Sequence, residues 1–127
     1  NNIGIVFYNK DDYKKTKEHL KKSLAIQKKI GFKGIELETT AYIFLSQKQL
    51  SKDYDLNEIH STIKNTENIE FYLNFRLYQL LEESSYLETA YNQVQEKTSV
   101  MGKELAEKYL SYSIPKQIIK EWEKLNN

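Results

Sequence analysis

The sequence predicts an all-α protein, and three observations support this fold class. The 127 residues include one proline and four glycines, too few for the many turns of a β-sandwich or barrel. Apolar residues recur at helical spacing along most of the chain. Pairs of such segments repeat at intervals of roughly 30 to 45 residues, a pattern typical of helical solenoids in which each pair packs against the next.

The first helix pair is predicted in residues 1–33. Residues 2–9 read as the end of one helix, and residues 12–30 form an amphipathic helix of about five turns. Asp11 or Asp12 is the expected N-cap after the short turn between them. One face of the second helix carries Tyr13, Thr16, Leu20, Ser23, Leu24 and Ile30. Lysines occupy most of the helix positions outside this face.

The same layout is predicted twice more, in residues 34–66 and 69–101. Residues 34–50 and 69–82 read as the first helices of these pairs. Gly31 and Gly34 are expected at helix ends. Tyrosines mark the start of each second helix, namely Tyr13, Tyr54 and Tyr86, which are 41 and 32 residues apart.

The tail, residues 103–127, is predicted to close the fold with capping helices. Gly102 is expected to end the last helix of the third pair, and a short helix follows it. Pro115 suits the first turn of a final helix. A solenoid must cover its last apolar face, so this helix is expected to act as a cap through Ile118, Ile119, Trp122 and Leu125.

Residues 3–27, IGIVFYNKDDYKKTKEHLKKSLAIQ, resemble one tetratricopeptide repeat. The matching positions are Ile3-Gly4 at its Leu-Gly pair, Phe7-Tyr8 at its aromatics, Asp12-Tyr13 at its turn and Ser23-Leu24 at its later Ala-Leu. Thr16 replaces the usual alanine. The second and third pairs match by layout, with Leu45 and Leu77 in place of the glycine. Gly4 is expected where two antiparallel helices cross closely, because it removes a side chain there.

The resemblance implies a single domain with an α–α superhelix of about three helical hairpins plus C-terminal capping helices. Its tail is similar to the C-terminal ends of tetratricopeptide regions in bacterial signalling and regulatory proteins. The chain starts within a helical pattern and without Met, so we expect it to be a piece of a longer protein.

Charge is unevenly distributed, although the net charge is only +1. Residues 1–33 hold nine lysines and three acidic residues, whereas residues 53–96 hold nine acidic residues against Lys64 and Arg76. The basic segment lacks the interleaved arginine and aromatic residues of a nucleic-acid-binding face, so no nucleic-acid partner is predicted. No apolar run approaches the roughly 20 residues of a membrane span. With no cysteine, we expect a cytoplasmic protein.

No catalytic chemistry is predicted, and neither a cofactor nor a metal is expected. His19 and His60 lie on separate predicted helices with no second ligand at metal-binding spacing. Glu82 and Glu83 are adjacent, so on a helix their carboxylates point about 100° apart. The glycines are isolated and form no phosphate-binding loop. The sequence therefore predicts a non-catalytic protein.

The resemblance also implies a partner-binding face, because the first helices of tetratricopeptide arrays line the concave surface. The implied protein- or peptide-binding residues are Tyr8, Asn9, Thr39, Tyr42, Ser46, Gln49, Phe71, Asn74 and Tyr78, with Arg76 as a further candidate. Aromatic residues at this spacing are also typical of a core. A core position is favoured for Phe44, Phe71 and Phe75. For Tyr42, Asn74 and Tyr78, a core position and a position in the partner-binding groove both stay open.

The predicted function is a scaffold that binds a protein or peptide. Its groove looks neutral to acidic, which favours an apolar or basic peptide over the acidic C-terminal tail of a chaperone. The alternative is a sensory or dimerisation segment of a larger transcriptional regulator, kinase or cyclase. Separately, a homodimer is expected through the N-terminal repeat face, because without an upstream neighbour Ile3, Ile5 and Phe7 are expected to be exposed.

Overall fold

The computed structural model describes residues 2–31 and 35–126, which form helices and contain no strand. The all-α prediction is confirmed for this part of the chain. The chain divides into two compact units, residues 1–68 and residues 69–127. The first unit contains α1 (Asn2–Asn9), α2 (Tyr13–Ile30), α3 (Glu36–Gln49) and α4 (Leu56–Lys64), and the second contains α5 (Phe71–Leu81), α6 (Ser84–Ser99), α7 (Lys103–Leu110) and α8 (Ser113–Leu125).

Local signals set the ends of α2. Asp12 is its N-cap, and the carboxylate of Asp12 accepts a hydrogen bond from the Lys15 amide at 3.3 Å. Asp11 instead adopts a left-handed conformation in the turn, with φ of 61°. Gly31 ends the helix with φ of 72°, a conformation that glycine adopts without strain. Gly34, the other predicted helix-end residue, lies outside the described residues.

Gly4 lies at the contact between α1 and α2. It is buried, and a Cβ added there would lie 2.5 Å from Leu20 Cδ2 and 2.6 Å from Leu20 Cγ. The close approach expected at this glycine is therefore present, and the Leu20 side chain occupies the space. Beside it, the rings of Phe7 and His19 stack with their centroids 5.2 Å apart.

Helix α3 is the most enclosed element of the first unit. It packs against α1, α2 and α4. Every residue from 39 to 46 is buried, so the helix has no fully exposed face along this stretch. On the side of α4, Phe44 stacks on Tyr54 with ring centroids 5.4 Å apart. Asp55 then caps α4 by accepting from the Asn57 amide at 2.9 Å.

The core of the second unit lies between α5, α6 and α8. Its buried members are Phe75, Leu87, Ala90, Val94 and Ile118. Helix α8 contributes Ile118, which is fully buried, and Trp122, whose ring stacks on Tyr91 at 4.7 Å. Pro115 lies in the first turn of α8, where its missing amide hydrogen costs nothing. The last helix thus covers apolar side chains of α5 and α6.

Candidate functional site

The predicted partner residues of α1 lie at its C-terminal end. Tyr8 is half-buried, and its ring meets Tyr13 edge-on at 5.6 Å and Tyr42 edge-on at 5.1 Å between centroids. We call Tyr8, Tyr13 and Tyr42 the tyrosine cluster; it joins α1, α2 and α3. Asn9, the last residue of α1, is exposed beside it in the chain. Edge-on aromatic pairs of this kind each contribute about 0.5–1.5 kcal/mol beyond burial.

The predicted partner residues of α3 are mostly enclosed. Thr39 and Ser46 are 0% exposed and Tyr42 is 5% exposed. The Thr39 hydroxyl lies 3.0 Å from Gln27 Oε1, and the Ser46 hydroxyl donates to the Tyr42 carbonyl at 2.9 Å. The Thr39 contact joins α3 to α2, the Ser46 bond lies within α3, and a partner cannot reach either residue in this conformation. Gln49, at the end of α3, is exposed.

In α5, Asn74 is also part of the interior. It is 4% exposed, and its Nδ2 donates to the Ile69 carbonyl at 3.1 Å and to Gln93 Oε1 at 2.9 Å. Gln93 Nε2 donates to the same carbonyl at 2.8 Å. The Ile69 carbonyl therefore accepts two hydrogen bonds, and the network connects the start of α5 to α6.

The other predicted residues of α5 are partly reachable. Phe71 and Tyr78 are half-buried, and both pack on the core of the second unit. Lys97 Nζ lies 5.7 Å from the Phe71 ring centroid. Arg76 is 7% exposed, and its guanidinium donates to Gln79 Oε1 at 2.9 Å. Among the nine predicted residues, the described ring contacts bring together Tyr8 and Tyr42.

A second candidate site, not identified from the sequence, lies between α2 and α4 with α3 as its floor. Two pockets of about 330 Å³ and about 320 Å³ adjoin there, and Thr40 and Glu58 line both. We call the two pockets together the α2–α4 groove. The first pocket is also lined by Lys28 and Glu36, and the second also by Gln47.

The groove has an acidic excess. Its lining includes four carboxylates, from Glu36, Asp53, Asp55 and Glu58, against the ammonium groups of Lys21 and Lys28. One of these lysines is already paired, since Lys28 Nζ lies 3.6 Å from a carboxylate oxygen of Glu58. Both partners of this ion pair are about half exposed, so the pair contributes little to stability.

The sequence did contain a signal for this groove. Glu36, Thr40 and Gln47 fall four and seven residues apart, so they lie along one side of α3. The implied partner positions of α3 follow a different line, which begins at Thr39 and therefore points about 100° away.

Burial and neighbouring charges shift several pKa values. Burial raises the pKa of Glu38 in α3. Partial desolvation, followed by the nearby ammonium group of Lys52, lowers the pKa of Lys17. Burial raises the pKa of Tyr109, and the carboxylate of Glu70 adds to the effect. None of these groups lines the α2–α4 groove.

No protein-family model, curated protein sequence or solved structure matches this chain. His19 and His60 are both exposed. Within residues 2–31 and 35–126, no three histidine, cysteine or acidic side chains cluster as metal ligands would. In the same residues, no helix combines the length and apolarity needed to span a membrane. The tyrosine cluster and the α2–α4 groove are the two candidate functional surfaces.

Proposed function

We propose that this chain is a non-catalytic scaffold that binds a protein or a peptide, with helix pairs that stack as in tetratricopeptide arrays. The tyrosine cluster carries this proposal. A half-buried tyrosine held by two ring neighbours presents a large, rigid, amphipathic surface at low entropic cost. The exposed amide of Asn9 adjoins Tyr8 in the chain and can bond to a peptide backbone.

The nine predicted residues take two different roles in this proposal. Those proposed to touch a partner are exposed or half-buried: Tyr8, Asn9 and Gln49 in the first unit, and Phe71 and Tyr78 in the second. The enclosed ones, Thr39, Tyr42, Ser46 and Asn74, hold the first helices rigid, which lowers the entropic cost of binding. We extend the proposal to a cytoplasmic location, because a chain with no cysteine has no disulfide to lose in a reducing compartment.

The test is selection from a random peptide library, followed by affinity measurement with the selected peptides. Tyr8→Ala should weaken their binding at least tenfold, since truncating an aromatic anchor costs about 2 kcal/mol or more. Tyr8→Phe should retain most of the affinity. Tyr112→Ala is the control, because Tyr112 is an exposed tyrosine that lies before α8, outside the tyrosine cluster. Equal binding by the Tyr8→Ala protein would refute the role given to the tyrosine cluster.

A second function is favoured by a separate observation, the apolar surface of α1 and α2. Ile3 and Val6 of α1 are 63% and 49% exposed, and Ile26 and Ile30 of α2 are 60% and 66% exposed. They recur at three and four residues on two helices that pack together. Exposed apolar residues in such a pattern favour a dimerisation segment of a larger regulator, kinase or cyclase.

Analytical ultracentrifugation tests this second function directly. If α1 and α2 form a homodimer interface, the wild-type protein should dimerise and the double variant Val6→Lys/Ile30→Lys should be monomeric. Val100→Lys is the control, because Val100 is 85% exposed in the other unit. A wild-type protein that stays monomeric at high concentration would count against dimerisation, and it would leave the scaffold proposal unaffected.

A further inference from the structure

We infer that the α2–α4 groove is a binding site for an arginine side chain of a basic peptide. This inference rests on the proposed function, since it names the chemistry of one polypeptide that the scaffold would bind. It concerns a different surface from the tyrosine cluster. The second of the two pockets, lined by Gln47, Asp53, Tyr54, Asp55 and Glu58, would hold the guanidinium group.

Charge complementarity is the first reason for a cationic ligand. Among the described residues, three carboxylates line the second pocket, from Asp53, Asp55 and Glu58, and Lys21 is the one cation in its lining. A guanidinium ion offers five N–H donors in a planar fork, which pairs with carboxylates in a bidentate manner. An anionic ligand would meet this acidic excess at an energetic cost.

An unpartnered polar atom provides the second reason. Gln47 Nε2 donates to the Asp53 carbonyl at 3.2 Å. Its Oε1 is enclosed and has no hydrogen-bond partner in the described part of the chain. Thr40, which is only 2% exposed, also lines the pocket and offers a hydroxyl group there. Because Gln47 lines the pocket, a rotation of its side chain would let Oε1 accept from a bound N–H group.

An aromatic pair provides the third reason and favours arginine over lysine. The rings of Phe44 and Tyr54 stack at 25° and both line the second pocket. A planar guanidinium stacks on such rings, whereas an ammonium ion is more strongly hydrated and loses more water on entry. The pocket thus combines carboxylates, an amide oxygen and an aromatic face, which together match a guanidinium group.

The first pocket then suits the backbone that carries this arginine. Its wall includes the hydroxyls of Ser61, Thr62 and Thr66 and the amide of Asn65, groups that can donate to or accept from peptide units. The Lys28–Glu58 ion pair crosses from α2 to α4 at this position. Since that pair is half exposed, a ligand guanidinium can replace Lys28 on Glu58 at little cost.

The test compares three labelled peptides of the sequence GSXGSXGSX, with X as arginine, lysine or citrulline, by fluorescence anisotropy. We expect the arginine peptide to bind, the lysine peptide to bind at least fivefold more weakly, and the neutral citrulline peptide not to bind. In an NMR titration, the side-chain amide signals of Gln47 should shift with the arginine peptide. Equal binding of the arginine and lysine peptides, or no binding at millimolar concentration, would overturn the inference.

A charge-matched pair of variants locates the site. Asp53→Asn/Glu58→Gln removes two carboxylates from the groove without changing side-chain shape. It should weaken binding of the arginine peptide at least tenfold. Glu88→Gln/Glu123→Gln removes the same charge from exposed positions on α6 and α8 and should change affinity less than twofold. Equal weakening by both pairs would indicate a non-specific charge effect and would overturn the inference.

The two proposals fail in distinguishable ways. If peptides selected from a library bind and depend on Tyr8 but not on Asp53 and Glu58, the scaffold proposal stands and the arginine site is refuted. If the arginine peptide binds in the groove while the selected peptides do not depend on Tyr8, the role of the tyrosine cluster is refuted and the arginine site stands. Circular dichroism of each variant ensures that a loss of binding is not a loss of fold.

Discussion

Substitution of Gly4 by alanine sets two opposing free-energy terms against each other. Alanine in a helix interior is more favourable than glycine by about 1 kcal/mol. At Gly4, however, the new Cβ would lie 2.5 Å from Leu20 Cδ2. Leu20 is 1% exposed, so its side chain cannot swing into solvent to relieve the contact. Overpacking of this kind costs about 1–3 kcal/mol, and we expect Gly4→Ala to be neutral or to destabilise by up to about 2 kcal/mol.

A double-mutant cycle separates the two terms. Leu20→Ala removes the Cγ and Cδ atoms that crowd Gly4, at a cost of about 2–5 kcal/mol for the cavity. In that background, Gly4→Ala should stabilise the protein by about 1 kcal/mol, because the helix propensity gain remains and the crowding is gone. The coupling free energy between the two positions should therefore be about 1–3 kcal/mol.

The assay is thermal unfolding of the four proteins in the presence of TMAO, which stabilises the Leu20→Ala background enough to measure. If the α1–α2 hairpin opens before the rest of the protein, amide hydrogen exchange of α1 and α2 measures the opening free energies of the same four proteins. Gly102→Ala is the control, because no atom lies within 4 Å of a Cβ added there. A coupling energy of zero, or stabilisation by Gly4→Ala in the wild-type background, would refute the proposed packing of α1 on α2.

Three further predictions follow from single side chains. Asp12→Ala should lower the free energy of unfolding by about 0.5–2 kcal/mol through loss of the N-cap, whereas Asp12→Asn, which still caps, should have little effect in urea unfolding. Ile118→Ala should cost about 2–5 kcal/mol in the same assay, and Leu125→Ala, at a half-exposed position, well under 1 kcal/mol. Tyr109→Phe removes a buried hydroxyl without a described partner and should stabilise by about 1 kcal/mol. Since the folded protein raises the pKa of Tyr109 above 10.0, stability should fall as the pH rises through and above 10.0, and Tyr109→Phe should reduce that fall.

Local chemistry explains why the first hairpin could be placed from the sequence. The Asp12 cap, the left-handed Gly31 and the lysine-rich face between them are short-range signals, and α2 runs from Tyr13 to Ile30 against a predicted 12–30. Gly102 was a weaker signal. It was predicted to end α6, yet α6 ends at Ser99 and Gly102 starts α7, because a glycine outside the left-handed region can flank a helix at either end.

Tertiary packing explains what the sequence could not supply. Thr39 and Ser46 look like a polar face of α3, but their hydroxyls bond to Gln27 and to the Tyr42 carbonyl, so both can be buried. Periodicity alone does not distinguish a polar residue that faces a partner from one that is satisfied inside the fold. The same ambiguity hid the α2–α4 groove, whose polar line on α3 became recognisable only once Glu58 of α4 was placed opposite it.

Two adjacent threonines on α3 allow structure and recognition to be tested separately. The Thr39 hydroxyl bonds to Gln27, so Thr39→Val should lower the free energy of unfolding by about 0.5–1.5 kcal/mol through loss of a buried hydrogen bond. Thr40 lines both pockets of the α2–α4 groove. Thr40→Val keeps the shape of the side chain, so it should leave the free energy of unfolding unchanged and weaken binding of the arginine peptide several-fold. If Thr40→Val instead destabilised the protein and left peptide affinity intact, the hydroxyl would belong to the interior and the groove would lose one of its acceptors.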